Sequence, residues 1–114
     1  MAIIYKICPE PLWQEAEAKG FLVGVSIDEA DGYIHFSGGG QLAETLRLHF
    51  AGVGGLIVAA VDTDRLTGDL RYEKSRGGEL FPHLYDVLPM SAVAWVEPLL
   101  IGADGAHVIP QAVT

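Results

Sequence analysis

Six apolar residues follow one another from Leu56 to Val61, between glycines at 52, 54 and 55 and the acidic stretch Asp62 to Asp64. A run this short and this apolar reads as a strand buried on both faces, the most central in the fold, and the rest of the chain must cover it. Ala2 to Cys8, rich in β-branched and aromatic types, supplies a second strand. Pro9 and Pro11 stop it, and Leu12 to Lys19 reads as a short helix with early acids, a late Lys19 and Gly20 at the C-cap position. Trp13 and Ala16 are expected to face inward.

Phe21 to Val25 reads as extended, and Asp28 to Gly32 as an acidic turn leading into a strand from Tyr33 to Ser37. Alternation sets Tyr33, His35 and Ser37 on one face and Ile34 and Phe36 on the other. Gly38 to Gly40 then lead into Gln41 to Phe50, where Leu42, Leu46, His49 and Phe50 recur with helical spacing. Leu70 to Glu73 alternates as a strand. Ser75 to Pro89 follows neither period and is expected to be a long loop of the kind that often carries function. Val93 to Pro98 is a strand, and Leu99 to Ile101 with His107 to Ile109 reads as a hairpin around Asp104 and Gly105. No repeat or linker interrupts the chain, so one α+β domain over residues 1–114 is expected.

Charge narrows the function. Seven Lys or Arg stand against fifteen Asp or Glu, a formal net charge of -8 that repels phosphate backbones and anionic lipid, so a large nucleic-acid partner is disfavoured. The single Cys8 has no internal disulfide partner and no apolar leader precedes it, which fits a reduced, cytoplasmic compartment. The longest apolar run is far too short to cross a bilayer, so no membrane association is expected.

Chemistry-bearing residues fall in two places. His35 and Ser37 project together and open onto a glycine-rich turn whose N–H groups suit an anion or a ribose-phosphate, although Ser37 serves equally as a helix N-cap. The second place is Arg76 to Tyr85, preceded by the cations Arg65, Arg71 and Lys74, with Asp64, Asp69, Glu73 and Glu79 interleaved as surface partners. Glu79 and His83 would share a face if the segment were helical, and Pro82 between them argues against a helix. No second close His or Cys completes a zinc set, so no metal is expected. A Ser37, His83 and Asp62 or Asp86 hydrolase lacks the Gly-x-Ser-x-Gly elbow and is a remote option. Lys6 alternates onto one face with Ile4 and Cys8, either at a sheet edge or aimed at a polar site. His49 and His107 receive no role.

Ile4-Tyr5-Lys6-Ile7, Gly32-Tyr33-Ile34-His35-Phe36-Ser37 and Gly77-Gly78-Glu79-Leu80-Phe81-Pro82-His83-Leu84-Tyr85 together resemble the small bacterial family called domain of unknown function 952, over about residues 3 to 99. That family is grouped by remote similarity with the ADP-ribosyltransferase fold, and its middle motif resembles the His-x-Ser strand of RNA 2′-phosphotransferases. The resemblance implies a curved, split mixed or antiparallel β-sheet with a few short helices and a small-molecule cleft for NAD. Tyr5, Lys6, His35, Ser37 and Arg76 would hold the cofactor, and His35, Glu79 and His83 would act on it, Glu79 as counterpart of the superfamily's catalytic glutamate. The chemistry is that of breaking a nicotinamide-ribose bond, with a carboxylate near developing positive charge, donors on the ribose and phosphates, and a small or protein acceptor. Lys6 stands where the family commonly carries His or Arg, which favours the rival reading of a non-catalytic binding or interaction module.

Overall fold

In the computed structural model, which describes residues 2–113 apart from the side chain of Arg76, the apolar run forms the middle of a three-stranded sheet. Strand β4 (Leu56–Asp62) is buried at every position and lies between β1 (Ile3–Pro9) and β8 (Val93–Leu99). Its alternation feeds two cores. Ile57, Ala59 and Val61 pack with Ile4, Cys8, Trp13, Leu22 and Ile34, while Leu56, Val58 and Ala60 pack with Tyr5, Ile7, Leu42 and Leu46. Each large aliphatic side chain buried this way contributes about 1.5–3 kcal/mol.

Helix α1 (Glu10–Lys19) starts two residues before the expected Leu12, because Pro9 serves as N-cap and Pro11 lies in the first turn, where a missing N–H costs nothing. Gly20 closes it in the left-handed region at φ 91°. Strand β2 (Phe21–Leu22) pairs with β7 (Leu88–Pro89). The expected acidic turn is instead a short helix, α2 (Ser26–Asp31), held at its start by the Asp28 carboxylate, which accepts the Val25 N–H at 2.8 Å. Helix α3 (Leu42–His49), entered through a single tight turn at Gly39–Gln41, lays Leu42 and Leu46 on the second core.

The expected loop from Ser75 to Pro89 contains the middle strand of another sheet. Strand β6 (Leu80–Leu84) lies between β3 (Ile34–His35) and β5 (Leu70–Lys74). Pro82 hid it, since proline rarely occupies a central strand. Its carbonyl accepts the Phe36 N–H at 3.0 Å. An antiparallel residue points its N–H and C=O to the same side, so the missing N–H of Pro82 lies beyond the end of β3 and the ladder to β5 loses no bond.

Every described strand pairing is antiparallel, which corrects the mixed alternative. The two three-stranded sheets meet at one bridge, where Tyr5 and Ser37 exchange both backbone bonds at 2.8 and 2.9 Å. The terminal hairpin is reduced to the bridge between Ile101 and His107. Among the described residues no helix is long and apolar enough to cross a membrane.

Candidate functional site

Because, among the described residues, the backbones of the two sheets pair only at Tyr5 and Ser37, the edge of β1 beyond that point is open. Tyr5 directs its N–H and C=O away from β4 to reach Ser37, and alternation turns those of Ile7 toward the same open edge. There a cleft of about 480 Å³ runs between β1, the start of α2, the β3 segment, the end of α3 and β6. Its size falls in the range of small-molecule sites. Tyr5, Ile7, Val25, Ile27, Tyr33, Phe36, Phe50 and Phe81 make its walls largely apolar, and Lys6, Asp31, His35, Ser37, Thr45, His49, Ser75 and His83 supply its polar groups.

Register brings the two histidines together: His35 lies opposite His83 in the β3–β6 pair, with ring centroids 5.4 Å apart. Tyr33 stacks on both, at 4.6 Å from His35 and 4.2 Å from His83, and reaches Tyr85 at 5.0 Å. The stacking fixes the planes of both imidazoles.

Behind His35 sits Asp28, whose carboxylate is 1% exposed. It accepts the Val25 N–H at 2.8 Å, the His35 N–H at 3.0 Å, His35 Nδ1 at 2.7 Å and the Lys6 ammonium at 2.8 Å. Burial pushes Asp28 up, but the hydrogen bond from His35 and the charge of Lys6 outweigh it and hold the group at about 2. Lys6 also donates to the His35 carbonyl at 3.0 Å. Burial lowers its ammonium, and Asp28 offsets part of that effect. The small Ala59, directly across from Lys6, leaves room for the lysine stem on an otherwise apolar face. His35 Nε2 faces Asp31 Oδ2 at 2.9 Å, so both ring nitrogens of His35 are committed to carboxylates.

His83 is backed differently. Its Nδ1 lies 2.9 Å from Glu73 Oε1, which also accepts the Tyr85 hydroxyl at 2.6 Å. The hydrogen bond from Tyr85, then that from His83, holds Glu73 below the ordinary carboxylate range. An ionised carboxylate only accepts, so the shared oxygen assigns an N–H to Nδ1, and in the neutral ring Nε2 is the acceptor, on the side of the imidazole away from Glu73.

The sequence candidates therefore separate. Tyr5, Lys6, His35, Ser37 and His83 all line the cleft. Glu79 does not: it is exposed at the tip of the β5–β6 hairpin, its carbonyl accepting the Ser75 N–H. The helical spacing that would have joined Glu79 to His83 gives way to an extended strand. Arg76 lies in the tight turn Arg76–Gly78, and its side chain is outside the described residues. Of the neighbouring cations, Arg65 pairs with Asp62 at 3.6 Å and Arg71 with Asp69 at 2.7 Å, and neither lines the cleft. A Ser-His-Asp array is not formed, since Ser37 Oγ bonds Thr45 Oγ1 at 3.1 Å and Asp62 caps the following turn. Among the described residues no three His, Cys, Asp or Glu side chains converge as metal ligands.

Asp28, Asp31 and Glu73 are the site groups that sequence reasoning missed. Glu73 had a signal, because a hairpin joining the Leu70 strand to the His83 segment would set them on one face. Asp28 and Asp31 had only the acidic turn.

The family model described as "Protein of unknown function (DUF952)" matches residues 7–96. An X-ray crystal structure of protein CC0527 from Caulobacter crescentus is similar, with 42% identity, 93% of each chain covered and a TM-score of 0.87. A solution NMR structure of CC0527 matches at 43% identity, covering 93% of this chain and 91% of that one, with a TM-score of 0.82. No curated protein matches the chain.

Proposed function

The chain belongs to the DUF952 family, and from that premise we propose that it binds a nucleotide-like small molecule, NAD or ADP-ribose in type, in the cleft between the two sheets. The observation that carries this reading is the convergence of Tyr33, His35 and His83 in an open, mostly apolar hollow of about 480 Å³ beside Ser37. Stacked rings suit a planar heterocycle, and the polar groups among them suit the sugar attached to it. Titrating the protein with NAD and with ADP-ribose in a calorimeter is expected to give saturable heat that weakens in His35→Ala. Absence of heat for both ligands overturns the proposal.

Two observations favour binding without transfer, the module reading. Glu79 stands away from the cleft. Lys6 is consumed by Asp28 and a backbone carbonyl. No carboxylate is then left unpaired against the rings to stabilise a sugar cation. NAD incubated with the protein is expected to release nicotinamide no faster than in buffer, and release that depends on protein and on Glu79 would restore the transferase reading.

A further inference from the structure

The described lining of the cleft holds more acceptors than cations. Among the described residues Lys6 is the sole lysine or arginine lining it, and its ammonium is spent on Asp28 and on the His35 carbonyl. His35 is held between Asp28 and Asp31 through both ring nitrogens. Among the described residues nothing lining the cleft is both uncommitted and positive, and a phosphate entering it would meet the carboxylate of Asp31.

His83 has the opposite character. Its side chain is 4% exposed, its Nδ1 is taken by Glu73, and Nε2 forms no hydrogen bond to any described residue while the ring lines the cleft. With an N–H on Nδ1, Nε2 of the neutral ring is an acceptor at the cleft wall with no partner among the described residues. A ligand donor that reaches this atom exchanges a bond to water for one in a mostly apolar hollow, where it is worth more. The C=O of Ile7 at the open edge of β1 and the carboxylate of Asp31 add further acceptors around the same hollow.

We infer that His83 Nε2 is a recognition atom for a hydroxyl of an uncharged, ribose-like part of the ligand, and that phosphate groups stay outside the inner cleft. This rests on the cleft-binding reading above and goes further by naming which part of a nucleotide is held and by which atom. The hydroxyl donates to Nε2, Glu73 keeps the imidazole in the accepting tautomer, and Tyr33, with its ring 4.2 Å from that of His83, flanks the sugar.

The test uses the full chain with adenosine, 2′,3′-dideoxyadenosine and inorganic phosphate, alongside NAD and ADP-ribose. Adenosine is expected to bind roughly tenfold more tightly than the dideoxy compound, one hydrogen bond's worth of discrimination. His83→Phe, which keeps a ring and removes the acceptor, is expected to erase that difference. Phosphate is expected not to compete. Imidazole nitrogen NMR of the ligand-free protein is expected to show His83 protonated on Nδ1 and bare on Nε2, which reads the tautomer whether or not a variant folds. Equal binding of adenosine and dideoxyadenosine, competition by phosphate, or a proton on Nε2 overturns the inference; if NAD and ADP-ribose still bind, the cleft reading stands without it. Absence of heat for every nucleoside and nucleotide removes both.

Discussion

His35 and His83 are cross-strand neighbours, yet the groups behind them have different uses. Asp28, in α2 behind His35, is 1% exposed and accepts N–H groups from Val25 just before its own helix, from β3 and from the Lys6 side chain of β1. Glu73, behind His83, is 37% exposed and accepts from two neighbouring side chains on its own sheet. The first carboxylate ties three elements together at the joint between the sheets. The second orients one ring and leaves its far nitrogen open. It is the depth of the carboxylate, not of the ring, that separates the two histidines: a saturated buried network has no valence left to offer, and on the proposed reading only His83 has an atom to give a ligand.

The largest expected effect separates the two carboxylates directly. Asp28→Ala strands the Lys6 ammonium in the core together with two backbone N–H groups, and breaking a buried pair from one side costs about 3–5 kcal/mol. Lys6→Met leaves Asp28 with three N–H donors and is expected to cost less, about 1–3 kcal/mol. The double variant is expected to be more stable than the sum of the two losses, since neither charge is then left alone. Urea unfolding of these proteins beside Glu73→Ala measures the contrast. Should Glu73→Ala prove as damaging as Asp28→Ala, the division between scaffold and ligand histidines fails.

Acid sharpens the same contrast. Asp28, held at about 2 against an ordinary 3.8, is depressed in the folded state. Its contribution is therefore present above the unfolded value near pH 4 and is lost as pH falls toward 2, amounting to about 2 kcal/mol at roughly 1.4 kcal/mol per unit. The stability of Asp28→Asn is expected to fall less steeply than that of the parent protein over that window. Parallel curves would mean that the carboxylate is not stabilised in the fold.

Gly24 makes the backbone's share visible. Its φ is 139°, and an added Cβ would lie 2.7 Å from that of Asp28. Gly24→Ala is expected to cost about 1–2 kcal/mol by straining the loop and pushing the carboxylate off its donors. A neutral result in thermal unfolding would show that the approach to Asp28 relaxes freely.

Much of this contrast was legible in the sequence, and the illegible part has a common cause. Alternation in the Tyr33 to Ser37 segment put His35 and Ser37 on one polar side, and both line the cleft. The apolar run at Leu56 identified the central strand, and the motif around His83 marked the other wall. What the local pattern did not supply were the carboxylate partners. Glu79 could share a face with His83 only if the segment were helical, which Pro82 already argued against; β6 is extended and its register with β5 brings Glu73 to that ring. Lys6 read as either an edge or a polar-site residue, and its partner lies 22 positions away at the start of a six-residue helix that the sequence showed only as an acidic turn. Local periodicity tells which side of an element a group occupies; which acid meets which base depends on register and on the docking of short elements, and these are set by tertiary packing.

The smallest effect concerns the exposed half alone. The hydrogen bond to Glu73 pushes the Tyr85 hydroxyl up to about 12, burial adds to the shift, and Arg71, whose guanidinium lies 4.5 Å from the ring centroid, partly opposes it. A raised value means that the folded state keeps this proton longer than the unfolded chain. The stabilisation is fully present below pH 10 and disappears as pH rises through 12. Ultraviolet titration of the tyrosines is expected to show one group ionising late in the native protein and returning toward 10 in Glu73→Ala. The nitrogen spectrum of that variant is expected to show His83 no longer confined to the Nδ1 proton. If Tyr85 moves and the His83 tautomer does not, Glu73 holds the phenol but not the imidazole, and the open nitrogen of His83 must owe its orientation to the Tyr33 stack instead.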